Sequence, residues 1–279
     1  MEPRTSARWA GRRAAPRVRD EACVNVAQLA DPTLFYMLAV LAVVLAGFSK
    51  ASAAGGVGLM AVPLMSIAIA PQHAAAIMLP ILCALDLLGL WAWRGQFDLR
   101  LLRTLIPGAV VGIVVGALVF RTVDVHWVKG LLGAECLVFA LHRIAGSRHF
   151  EAAAAGRPSR VRAGFWSALS GFTSTLAHAG GPPILQYLLP LKLPKVLLVA
   201  TTVYFFTVVN YLKLVPYAWL GLLEKANLGT SLLLAPAIPV GYWIGWRFTR
   251  LIPEKPFYTF INLSLVATGI KLLWDAVAG

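Results

Sequence analysis

GFSKASAAGGVG, residues 47–58, decides how this chain is read, because a second version, GFTSTLAHAGGPP, occupies residues 171–183. Each copy starts with Gly, Phe and a hydroxyl residue, and each reaches Ala-Gly-Gly at the end of a long apolar run. Each carries one potential cation just before the glycines, Lys50 in the first copy and His178 in the second. Glycine pairs interrupt helices and permit close approach of backbone or ligand. Two such pairs, each followed by a short apolar segment, predict two related interruptions rather than one long uninterrupted bundle.

The surrounding composition sets the solvent. The 279 residues are 59% hydrophobic and 13% charged, against roughly 25% charged in soluble domains. That balance predicts a polytopic membrane protein and excludes a large soluble all-α core, which needs more polar surface. The formal net charge is +13. On a soluble chain this would suggest nucleic acid; here the arginines sit in a tail and in loops between apolar runs, so the partner read from charge is membrane lipid. Cys23, Cys83 and Cys136 share no metal spacing and no CxxC, so no disulfide framework, metal or cofactor is expected.

Residues 1–32 form an Arg-rich tail without the apolar core of a cleavable signal peptide. An Arg-rich transit peptide is the alternative, weakened by Glu2, Asp20 and Glu21. From residue 33 the apolar runs predict helices at about 33–54, 74–93, 101–120 and 127–141, then at 163–179, 196–215, 226–248 and 256–276. Residues 33–54 span roughly 30 Å, one bilayer core. The segments after the glycines, 57–70 and 182–191, are too short to cross: 14 residues reach only about 21 Å. Pro71-Gln72-His73 is read as ending the first of them. Residues 143–162, rich in Arg, Gly, Pro and Ser, read as a linker between a first repeat, 33–142, and a second, 163–279. Pro107, Gly112 and Gly116 match Pro236, Gly241 and Gly245 at one constant offset, which extends the repeat and argues for duplication of a four-helix unit.

The fold expected is therefore all-α and integral to the membrane, with about eight transmembrane helices in two four-helix halves. With both termini cytoplasmic, the loops 94–103, 143–162 and 213–225 lie inside with most of the basic residues. If the short segments also crossed, the halves would be inverted and the Arg-rich linker would lie outside.

Backbone that leaves the helix at membrane depth must face protein or water. The glycine breaks are therefore candidate anion sites, because a helix N-terminus offers free N–H groups and a partial positive charge. The candidate substrate-binding residues are Lys50, Gly55, Gly56, Gly58, Thr173, Ser174, His178, Gly180 and Gly181. An intramembrane cation is by default functional, yet Lys50 could also snorkel from its helix end, and His178 could be a neutral hydrogen-bonded core histidine. Hydroxyls such as Thr173 and Ser174 often bond their own backbone instead of a ligand. Asp86, Glu135 and Asn210 are candidates for ion coupling, the alternative being hydrogen bonds between helices. Gly112/Gly116 and Gly241/Gly245 read as packing surfaces.

With these residues together, the chain resembles the sulfite exporter TauE/SafE family, also called the 4-toluene sulfonate uptake permease family. The resemblance rests on the Gly-Phe-Ser start, the Ala-Gly-Gly pair, Val62-Pro63-Leu64, the second copy and the paired glycine helices, and it covers most of residues 33–276. It implies a bacterial inner-membrane secondary transporter of small sulfur-containing or carboxylate anions, such as sulfite or sulfonates, driven by an ion gradient. Val57 interrupts the first glycine run and Pro182-Pro183 end the second, which bears on the substrate more than on the class. Two other readings stay open. An intramembrane enzyme would need a serine against His178, and the chain carries neither GxSxG nor HExxH. A membrane scaffold would need no polar groups at depth.

Overall fold

The computed structural model describes residues 31–52, 55–120, 130, 133, 134, 137, 141 and 159–278. Among these residues all regular structure is helical. The helices are α1 (Pro32–Ser52), α2 (Gly55–Gly58), α3 (Ala61–Met65), α4 (Pro71–Ala92), α5 (Leu99–Val119), α6 (Arg160–Ala177), α7 (Gly181–Leu188), α8 (Lys195–Trp219), α9 (Lys225–Leu234), α10 (Ala237–Leu251) and α11 (Glu254–Ala278). Local sequence explains several starts. Asp31, Asp98 and Ser159 each accept a hydrogen bond from the backbone N–H three residues on, satisfying one of the donors a helix start leaves free. Pro71 opens α4 after an extended Ala70, since proline suits the first helical turn and lacks only an N–H that would go unused there. The Pro71-Gln72-His73 stretch is thus a beginning, not an end.

Among the described residues five helices are long and apolar enough to cross a membrane: α1, α4, α5, α8 and α11. The predicted helix 226–248 is two helices, α9 and α10, bent by 52° at Ala235-Pro236; counted as one span they make a sixth. Pro236 and Pro239 remove two backbone donors at that bend. α6 is helical but falls outside this count, since it carries Arg160, Arg162 and five hydroxyl residues. Glu135, most of the predicted 127–141 helix and nearly all of the linker lie outside the described residues. Val111, Val114, Val115 and Leu118 of α5 point outward, an apolar face that suits lipid.

The apolar cores exchange helices between the two ends of the chain. One gathers α1, α3 and α4 with Leu234 of α9 and Ile238 and Tyr242 of α10. The other gathers α7 and α8 with α5 and α11. The closest helix pairs are α5 on α6 and α1 on α10. Both are glycine contacts, in which the missing side chain lets two backbones touch. A Cβ on Gly112 would stand 1.9 Å from the Ala168 carbonyl oxygen, and one on Gly241 would stand 2.5 Å from that of Val44. Gly116 packs on Phe172 and Gly245 on Phe48. Val44 and Ala168 have the same sequence separation as Phe48 and Phe172, so the two contacts correspond position by position.

Candidate functional site

α1 and α6 both end inside the bundle, beside a cavity of about 80 Å³. A water needs about 10–15 Å³ on the same measure, so the cavity has room for several waters or one small oxyanion. Its polar lining is Ser49, Lys50, Ser174, His178, Thr202 and Asn210, with Gly58 and Gly181 at the starts of the short segments. Met78, Leu82, Leu185 and Phe206 are among the apolar walls.

On the α1 side, Lys50 lies in the helix's last turn, where a cation is favoured by the helix dipole. Its ammonium pairs with Asp86 of α4, which is 0% exposed. The other oxygen of Asp86 accepts from Asn210 Nδ2 of α8 at 2.7 Å. Lys50 also lies 5.6 Å from the centroid of the Phe206 ring, within the range of a cation–π contact. Asp86 and Asn210 are 124 positions apart, and so are Lys50 and Ser174. Asp86 and Asn210, which share that offset, thus meet each other directly.

On the α6 side the chain turns differently. α6 stops at Ala177 and His178 adopts a left-handed conformation, φ 52°. That geometry ends a helix and is commonest for glycine, with histidine and asparagine among the residues that tolerate it. The helix therefore terminates two residues ahead of the Gly180-Gly181 pair. The backbone groups released are taken up locally. Ser170 Oγ donates to the Gly180 carbonyl at 2.7 Å, and Thr173 Oγ1 lies 3.1 Å from that of Ala179. Tyr217 of α8 donates to the Thr175 carbonyl at 2.9 Å. These bonds account for the hydroxyl content of α6, because an unpaired amide or carbonyl at membrane depth costs several kcal/mol.

The first copy behaves otherwise. α1 is described to Ser52, and Gly55 and Gly56 are the first residues of the short helix α2. The segment 57–70 then contains α3, only five residues, and turns. A helix N-terminal anion site therefore has a basis at α7, eight residues long, but not at the four-residue α2 or at α3.

Lys213 is the residue sequence reasoning missed. The loop expected at 213–225 begins only after Trp219; Lys213 lies inside α8 and is 0% exposed. Its Nζ donates to the Ser174 carbonyl at 3.0 Å, to Ser174 Oγ at 2.9 Å and to His178 Nδ1 at 2.9 Å. Three acceptors match the three hydrogens of an ammonium. His178 Nε2 lies 2.9 Å from the Ala75 carbonyl oxygen, which can only accept. The ring therefore carries its proton on Nε2 and accepts on Nδ1, the bonding of a neutral imidazole. The signal for Lys213 was present in the sequence. The apolar run continues past it to Trp219, and Asn210, Lys213 and Tyr217 share one helical face.

Of the remaining candidates, Thr173 and Gly180 serve the backbone bonds just described and do not line the cavity. Asp86 stands behind Lys50, out of the lining.

The family model described as Sulfite exporter TauE/SafE matches residues 39–272. The chain belongs to this family. The match covers both glycine stretches, the cavity and every polar residue of the network around it. TauE/SafE proteins are membrane transporters of sulfite-type anions, and with five to six apolar spans among its described residues this TauE/SafE chain is a multi-pass membrane protein. No curated protein and no solved structure matches it.

Proposed function

We propose that the protein is a secondary transporter that moves small sulfur-containing or carboxylate anions, such as sulfite or sulfonates, across a bacterial inner membrane by alternating access between two related halves. The observation that carries this reading is the cavity itself. It lies where the two copies meet, and it is lined from both sides by corresponding residues, Lys50 and Ser174, with Asn210 also in the lining and Asp86 bonded to it from behind. Transporters built from repeats hold substrate at such junctions, next to interrupted helices. Lys50, Gly58, Ser174 and Gly181 form the substrate side, and His178 orders it. Asp86 is the acid placed to respond to a coupling ion, since it is the carboxylate bonded to two residues of the cavity lining, Lys50 and Asn210.

The eight-crossing layout with cytoplasmic termini goes with this reading. The corresponding contacts of α5 on α6 and α1 on α10 support two equivalent halves. A reporter fused within residues 143–162 is expected to read cytoplasmic; a periplasmic reading would require the inverted arrangement.

The decisive experiment is radiolabelled sulfite or sulfonate flux into proteoliposomes of the purified chain, with and without a pH gradient. Uptake or exchange above protein-free vesicles is expected, and Asp86→Asn is expected to sever it from the gradient. Absence of flux for every small anion tested would sink the transporter reading.

A further inference from the structure

We infer that Lys213, and not Lys50, supplies the charge that holds the substrate, and that with Asp86 ionised the site is built for a monoanion. The inference rests on the transporter reading above and adds the charge class of the substrate and the residue that sets it.

The argument is a charge inventory of the cavity. Lys50 is neutralised by a fully buried carboxylate, Asp86, whose second oxygen is held by Asn210. Lys213 is fully buried too, yet its three hydrogen bonds go to a carbonyl, a hydroxyl and a neutral ring nitrogen. Among the described residues no carboxylate lies within ion-pair distance of it. The C-terminal end of α6 offsets part of its charge, roughly half a unit, but Lys50 enjoys the same help at the end of α1. The sum over Lys50, Asp86, Lys213 and neutral His178 is one net positive charge beside a cavity whose other described lining residues are uncharged. A buried ammonium without a counter-charge is costly, and an anion in the cavity supplies the missing partner.

The route from Lys213 to the cavity is Ser174. Lys213 does not line the cavity, but Ser174 does. The Ser174 hydroxyl accepts from Lys213, which leaves its own hydrogen to donate into the cavity and strengthens it as a donor. His178, bonded at both nitrogens, holds Lys213 in place and offers the ligand no polar atom of its ring. Lys213 and His178 are thus positioning residues and Ser174 is the contact.

The test compares two tetrahedral anions of similar size and different charge, methanesulfonate and sulfate, as competitors of radiolabelled sulfite exchange in proteoliposomes without a gradient. In the wild type, methanesulfonate is expected to compete better than sulfate by about tenfold or more, because a second negative charge enters the site uncompensated. Lys213→Gln is expected to weaken methanesulfonate by about 30-fold, and Lys213→Arg to retain most of the affinity. Asp86→Asn frees Lys50 and should raise sulfate relative to methanesulfonate, a change of selectivity that a merely structural role for these residues would not produce. Equal competition by the two anions in the wild type, or unchanged methanesulfonate affinity in a folded Lys213→Gln, overturns the inference. Should Lys213→Gln fail to fold, the wild-type ratio and its shift in Asp86→Asn decide. Exchange of sulfite without charge preference sinks this inference alone, whereas failure to bind or move any anion sinks the transporter reading as well.

Discussion

Two helices stop beside the same cavity and stop in different ways. α1 carries its own lysine in its last turn, and α4 answers with a carboxylate, so that end is electrically closed. α6 has serine at the corresponding position, ends on a left-handed histidine, and borrows Lys213 from α8 with no acid in return among the described residues. One backbone problem, a helix ending at membrane depth, thus has two solutions that differ by one charge. The difference teaches where the two helix ends diverge: the first holds a buried ion pair, and the second holds a buried lysine whose partners are a carbonyl, a hydroxyl and a ring nitrogen.

The largest expected effect comes from breaking the closed end. Lys50→Ala leaves the Asp86 carboxylate buried with only Asn210 to hold it. The loss of stability is expected at about 3–5 kcal/mol, the usual consequence of orphaning one member of a buried pair. Lys50→Ala with Asp86→Asn should recover most of this, because the double variant has no uncompensated charge there. Thermal unfolding of detergent-solubilised protein measures both. A double variant no more stable than Lys50→Ala would mean that the pair is held for packing rather than charge.

The next effect tests whether the halves are built alike away from the cavity. Gly112→Ala and Gly241→Ala both push a methyl group into a backbone carbonyl of the facing helix. Each should destabilise by about 1–3 kcal/mol, as overpacking does. Gly112→Ala should be the worse of the two, since its Cβ falls 1.9 Å from Ala168 O against 2.5 Å from Val44 O for Gly241. Equal tolerance of both would show that the two helix pairs can slide apart, and the correspondence between them would lose its mechanical meaning.

Much of this arrangement was legible before any coordinates. The membrane class followed from composition and the helices from apolar runs; polar residues inside those runs pointed to Lys50, Asp86, Ser174, His178 and Asn210, and the glycine pairs to Gly58 and Gly181, all of which the fold brings to or next to one cavity. What failed did so for a physical reason. Lys213 read as the start of a loop because a lysine usually ends an apolar run; its burial depends on Ser174, 39 positions away, and on a helix end that only the fold exposes. Thr173 read as a ligand donor, but its hydroxyl faces the carbonyls of Leu169 and Ala179, and that use depends on where α6 stops. The stop itself was assigned to the glycines, whereas His178 makes it by entering left-handed space. The bend at Ala235-Pro236 was hidden because the apolar run is continuous through it.

A smaller effect separates the two roles of Ser174. Ser174→Ala deletes one of the three acceptors of Lys213 while leaving the carbonyl and the histidine. Stability should fall by about 1.5 kcal/mol, the low end for one hydrogen bond to a charged group, since two other acceptors of Lys213 remain. Exchange of sulfite should suffer more in KM than in maximal rate, because the cavity loses a donor and not its charge. A fall in rate alone, with KM unchanged, would place Ser174 in the motion of α6 instead of in contact with the anion.

The smallest effect is expected at the residue that looks most like a catalyst. His178→Asn keeps a residue that tolerates positive φ and offers an oxygen toward Lys213, so stability should change by less than about 1 kcal/mol. His178→Val, β-branched at φ 52°, should be clearly worse even though valine suits the apolar surroundings. If Asn and Val are equally damaging, the imidazole ring does more than hold a turn and a lysine, and the second end of the cavity would have to be read as a titrating site rather than a fixed charge.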